Sequence, residues 1–265
     1  MSGDEVFMLI ASAIVALVVW GAWYIKPALV QGVRRRPPAW RLLRLTPLLA
    51  AALLWAVLRN AASFDVRDDP RYLTFYLVLG AAWVGVWIRW LAVTGISTRD
   101  DVVERSNGSA ALAVTGALFG ITLAYAGGNV GNGPGWWVVV FSAALATLAL
   151  FGAWILLETL TGVSDIVTVD RDPSAGFRLG GFLIACGLIL GRSVAGDWVS
   201  AEATVRDFAA AAWPVIVLVI AAAIVERVAR PTPETPRPSL VAYGFIPSVF
   251  YVAGAVYQVM RLGPA

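Results

Sequence analysis

Histidine is absent from this chain of 265 residues, cysteine occurs once, and lysine occurs once. Without histidine there is no usual axial ligand for haem, no ring nitrogen for a chlorophyll-type pigment, and no commonest ligand for zinc or copper. The commonest general base near neutral pH is missing as well. Cys186 lies inside an apolar run, so neither an intrachain disulfide nor a thiolate cluster can form. Lys26 closes the first apolar run, which leaves no lysine for Schiff-base chemistry in mid-membrane. Charge is scarce too: 14% of residues carry it, against about 25% in an ordinary soluble domain. No cofactor and no metal are expected from this inventory.

What fills the chain instead is apolar. Hydrophobic residues make up 59% of it and the mean hydropathy is +0.76. A single aqueous core cannot hide that much apolar surface, so the lipid bilayer is the solvent that fits. Spanning segments must then satisfy their own backbone polar groups, as helices do. The formal net charge is only +3, and the basic residues gather at segment ends. No nucleic-acid partner is expected.

The chain reads as eight apolar segments. The first runs from about Val6 to Tyr24, long enough to cross a core of about 30 Å. An acidic start (Asp4, Glu5), with Arg34, Arg35 and Arg36 after the run, argues for an uncleaved helix whose N-terminus lies outside. Pro37 and Pro38 precede a short second segment, about Leu45 to Leu58, flanked by Arg41, Arg44 and Arg59 that can snorkel. Phe64 to Arg71 reads as a solvated loop, and the third segment as Leu73 to Val93. Thr98 to Gly108 reads as a charged connector, and Ser109 as the N-cap of a fourth segment that ends at Gly127. The uncharged loop Gly127 to Gly135 lacks the Gly-Lys-Ser/Thr ending of a phosphate-binding loop and reads as a tight hairpin turn. Trp136 and Trp137 open the fifth segment, to about Leu157, where an interfacial aromatic belt belongs. The sixth (Gly176 to Gly191), the seventh (Phe208 to Val225) and the eighth (Leu240 to Met260) follow. A polar loop precedes the seventh and a proline-rich linker, Pro231 to Pro238, precedes the eighth. With the N-terminus outside, fourteen of the twenty basic residues fall on inner connectors, as the positive-inside bias requires.

One stretch occurs twice. Trp87-Ile88 followed by Thr94-Gly95-Ile96-Ser97 returns as Trp154-Ile155 followed by Thr161-Gly162-Val163-Ser164, and the apolar runs that follow align as well. Glycine just past a helix end is the expected stop, because it takes positive φ at little cost. The pattern predicts an all-α integral membrane protein of about eight transmembrane helices with tandem parallel helical-hairpin repeats. Its parts are an N-terminal three-helix region, 1–98, with a degenerate copy in 45–98, hairpins over 99–164 and 165–230, and a linker with the last helix, 231–265.

The signals Glu104-Arg105-Ser106-Asn107 followed by the Ala/Gly-rich run Ser109 to Leu123 resemble the bacterial membrane family of domain of unknown function 350. Its repeats pair an acidic connector and an asparagine with such a helix. The resemblance covers about residues 100–228, although Asp172-Pro173 stands in the second copy where Asn107-Gly108 stands in the first. It implies paired helical hairpins in the bacterial inner membrane, with the other segments as additions, and it implies no reaction.

Small residues four apart allow helix backbones to approach closely in lipid. Gly116 and Gly120 in the fourth segment, and Gly176, Gly180, Gly181, Ala185, Gly187 and Gly191 in the sixth, are the expected packing positions. The repeat places Gly116 and Gly120 opposite Gly181 and Ala185 in alignment. No ionisable residue falls near the middle of a segment, and Glu158 and Arg178 are expected to pair at the inner interface. Thr115, Thr122, Tyr125, Ser142 and Thr147 are the residues that could line a polar path. With no paired mid-membrane carboxylates and no Ser–His dyad, the chain is not expected to be an enzyme. The leading expectation is a structural or assembly subunit of a larger membrane complex, as a homo-oligomer or with other membrane subunits. An oligomeric ion channel or passive transporter built from the hairpins is the alternative.

Overall fold

Glycine and the polar capping residues cut the chain into helices, and the structure, a computed structural model, describes residues 1–30, 38–232, 234 and 239–263. The Lys26 side chain, the Arg34 to Arg36 cluster, Pro37 and most of the Pro231 to Pro238 linker lie outside the described residues. Helix α1 spans Gly3–Val30, α2 Pro38–Ala61, α3 Phe64–Asp68 and α4 Pro70–Trp87, the last continued by a 3-10 segment, Ile88–Thr94. A π-helical turn, Thr98–Glu104, leads into α5, Gly108–Gly127. Then come α6 (Trp136–Thr161), α7 (Val163–Thr168), α8 (Pro173–Ser193), α9 (Ala201–Ala212) and α10 (Pro214–Val228). A second π-helical turn, Leu240–Phe245, opens α11, Ile246–Arg261. Among the described residues eight helical stretches are long and apolar enough to cross a membrane, so the chain is an all-α, multi-pass membrane protein.

Several boundaries differ from the sequence reading. Helix α2 is not short: it starts at Pro38 and takes in Arg41 and Arg44, with Pro47 inside it. The Tyr24 hydroxyl donates to the Arg44 carbonyl at 3.1 Å. The expected loop at 64–71 contains α3, and the charged connector after Ser97 is helical. Glu202, Arg206 and Asp207, read as loop residues, lie on α9, which together with α10 makes one span-length stretch. The glycine-rich loop after α5 is pinned rather than merely turned. Val130 and Gly131 bridge to Ala62, the Gly196 N–H donates to the Val130 carbonyl at 2.9 Å, and the Trp198 N–H donates to that of Asn132 at 2.8 Å.

The two helix starts at the heart of the bundle are built alike. Asn107, not Ser109, is the N-cap of α5; its side chain accepts from the N–H groups of Ser109 and Ala110. Asp172 caps α8 in the same way, accepting from Ser174 and Ala175. Just before each cap stands a non-glycine residue with positive φ, Ser106 at 54° and Arg171 at 55°. Each of the two glycine stops lies in the left-handed region, Gly95 at 86° and Gly162 at 61°.

Burial divides the bundle by element. Of their spanning windows, 78% of α5 and 83% of α8 is buried, against 11% of α1, so α5 and α8 form the centre and the outer helices face lipid. Aromatic rings fill the space between α1, α2, α4 and α6, with contacts running Trp20–Trp23–Trp40 and Trp83–Trp87–Phe151–Trp154. Trp137 meets Trp198 edge to face at 5.1 Å on the face where the chain begins.

Candidate functional site

Helix pairs in lipid gain little from the hydrophobic effect, so the closest backbone approach marks where association is concentrated. Here that place is the seam between α5 and α8. The helices run parallel: Gly176 lies on Ser109 at one end and Gly191 on Leu123 at the other. Between these, Gly180 lies on Leu112 and Gly116, and Gly187 lies on Gly120. A Cβ added at Gly116 would run into the Gly180 backbone, and one added at Gly127 into that of Gly191. Side chains cannot yield there, because the obstacle is main chain.

Gly116 and Gly120 face α8 and meet the stripe of Gly180, Leu183 and Gly187. Gly181 points away, against Ser248 of α11, and Ala185 is buried in the core. Gly127, which the sequence reading left out, extends the α5 stripe; its spacing from Gly120 is the signal that could have found it.

The contact pattern then recurs. Where Gly176 lies on Ser109, Gly244 lies on Ser174; where Gly180 lies on Gly116, Ser248 lies on Gly181. The Ser109 hydroxyl donates to the Asp172 carbonyl at 2.5 Å, and the Ser248 hydroxyl donates to the Phe177 carbonyl at 2.7 Å. Thr46 of α2 meets Thr115 of α5 at 3.4 Å. So α2, α5, α8 and α11 stand side by side in a parallel row, each laying one face on its neighbour's opposite face.

At one end of the seam sits a buried ion pair. Arg178 is fully buried in the second turn of α8, and Glu226, near the end of α10, is 2% exposed. The Arg178 guanidinium donates from Nε to Glu226 Oε1 and from Nη2 to Oε2, both at 2.7 Å, and from Nη1 to the Tyr243 carbonyl at 2.6 Å. Asp172 Oδ2 stands 3.9 Å away. The expected Glu158–Arg178 pair does not form. Glu158 instead accepts from the Ser164 N–H at 2.8 Å and its hydroxyl at 2.6 Å, holding the start of α7. Glu158 and Glu226 end two similar helices, and sequence proximity favoured the wrong one. Arg178 faces α10 and α11, so the second carboxylate is the one within reach. A bidentate pair of this geometry, with the Tyr243 carbonyl, ties α8 to α10 and to the π-helical turn before α11.

The five hydroxyl residues proposed to line a path do not face a common lumen. Thr115 donates to the Ala111 carbonyl, Thr122 to that of Leu118, and Tyr125 to that of Tyr76, at 2.8, 2.7 and 2.9 Å. Thr147 accepts from Trp83 Nε1 at 3.2 Å. Ser142, also buried, lies at the far end of α6 beside the glycine-rich loop. Among the described residues no group of three or more His, Cys, Asp or Glu side chains is placed to hold a metal ion.

Comparison with known proteins adds one match. Residues 66–194 match the model of a family described as Domain of Unknown Function (DUF350). That stretch begins before the 100–228 expected from sequence and ends with α8, so it takes in α4 and leaves out α9 and α10. No curated protein and no solved structure matches the chain.

Proposed function

For a chain that carries a DUF350 domain across residues 66–194, we propose a non-enzymatic, structural role as an assembly subunit of a larger complex in the bacterial inner membrane, with the N-terminus outside. The observation that carries this reading is the recurring one-sided interface of the helix row. The α5 face that meets α8 has its counterpart on α8, which meets α11. Carried one step further, the same face on α11 comprises Ala242, Val249, Ala253 and Val256, and all four are exposed. A one-sided interface that does not close on itself has a free end, and such an end recruits a further equivalent helix. A second copy of this chain is the occupant assigned to it, docking parallel to α11.

Support for a structural rather than a conducting role comes from the hydroxyls of α5, which are tied to carbonyls within the bundle. Further support comes from Arg178 and Glu226, which satisfy each other. The test is native mass analysis of the full chain in mild detergent, with a photo-reactive side chain placed at Ala253 for cross-linking. The expected result is an oligomer cross-linked from position 253. A strictly monomeric particle, or ion flux through liposomes reconstituted with the chain, would overturn the proposal.

A further inference from the structure

The face on which the chain begins carries a cavity of about 250 Å³, roofed by the pinned glycine-rich loop. Its walls include Glu5 of α1, Asp65 of α3, Tyr72 and Tyr76 of α4, Asn129 from the loop after α5 and Trp198 from the loop after α8. Two carboxylates line it and, among the described residues, no arginine or lysine does. Asn129 is 6% exposed, and its Nδ2 is committed to the Tyr125 carbonyl at 2.8 Å. That leaves Oδ1 as a buried acceptor with no partner. A buried acceptor without a donor is uncommon in a folded protein and marks a place where a donor belongs.

We propose that this vestibule binds a small organic cation, a monovalent primary ammonium. Negative charge without a counter-ion on the walls excludes anions. The space is several times the share of one water molecule, about 30 Å³, and among the described residues no group of three or more His, Cys, Asp or Glu side chains is placed to hold a metal ion. An ammonium carrying carbon suits such a space, and Tyr72, Tyr76 and Trp198 add aromatic carbon to its lining. Glu5 is already oriented: its Oε2 accepts from the Tyr72 hydroxyl at 3.2 Å and from the Ser2 N–H at 2.7 Å. Asp65 is exposed at the rim and supplies the charge that draws the cation in.

The experiment is a thermal melt of the full chain in detergent with methylammonium chloride, against sodium chloride at equal ionic strength. The expected result is a saturable rise of about 2–4 °C near tenfold excess over Kd. In D65N the half-saturating concentration rises about tenfold, the loss of one charge contact at the rim. In D65K, which places a resident ammonium at the rim, the response disappears. D68N, an exposed carboxylate on the same short helix but outside the cavity walls, keeps the response. No rise beyond that in sodium chloride, or a rise left unchanged in D65N and D65K, overturns the assignment, as does a response lost equally in D68N.

Discussion

Replacing Glu226 with glutamine removes the charge that faces a fully buried guanidinium. Two charge-assisted hydrogen bonds of 2.7 Å become weak contacts to a neutral amide. Removing one partner of a buried pair costs about 3–5 kcal/mol, because the other charge stays behind without compensation. Arg178 keeps the Tyr243 carbonyl, and Asp172 at 3.9 Å supplies some negative charge, so the low end applies: about 3 kcal/mol. Against a typical total of about 5–15 kcal/mol this is a large fraction. Replacing Arg178 with methionine strands Glu226 and costs as much or more. In the double variant R178M/E226Q no charge is stranded; what remains are the Tyr243 carbonyl and the buried amide at position 226 without their partner, a loss of about 2–4 kcal/mol together. The single losses therefore do not add, and the coupling is about 2 kcal/mol or greater. The assay is reversible unfolding in mixed micelles titrated with sodium dodecyl sulfate, followed by tryptophan fluorescence. The same cycle run on R178M and E158Q should be additive within about 0.5 kcal/mol. Additive losses for Arg178 with Glu226, or strong coupling with Glu158, would refute the reasoning.

Alanine at Gly116 or Gly180 must push main chain apart, so each should cost about 1–3 kcal/mol in the same unfolding assay. Alanine at Gly152, whose Cβ would meet nothing within 4 Å, should instead gain about 0.5–1 kcal/mol. Both glycine stops are left-handed, but a Cβ at Gly95 would meet the Ser164 hydroxyl while one at Gly162 meets open space. G95A should therefore melt lower than G162A, and equal melting temperatures would contradict the close approach. Asn107 caps α5 and also donates from Nδ2 to the Val167 carbonyl at 2.7 Å. N107A should lose about 1 kcal/mol for the cap and about 1 more for the cross-connection. N107D, which keeps the cap acceptor but not the donor, should recover only the first part in a thermal melt.

Composition and periodicity alone determined the solvent, the helical class and the number of spans, because each depends on local quantities. Apolar length sets a span, glycine sets a stop, and a polar side chain before an apolar run sets a start; Gly95, Gly162 and Asp172 act as such rules require. The sequence also excluded histidine and thiolate-cluster chemistry outright, since a missing residue type cannot be restored by folding. Partner choice was not local. The alignment gave Gly181 the role of Gly116, and Gly181 does meet α11 as Gly116 meets α8, but that Gly180 is the residue laid on Gly116 was decided by the packing of the row. Arg178 had two similar carboxylates within reach of the chain, and only the packing of α10 and α11 around α8 selected Glu226. The vestibule was invisible for the same reason, because Glu5, Asp65 and Asn129 are far apart along the chain and meet only when α1, α3 and the loop after α5 converge. Helix rotation about its own axis decides which side chains face each other, and that angle is set by the neighbours a helix packs against, not by its own residues.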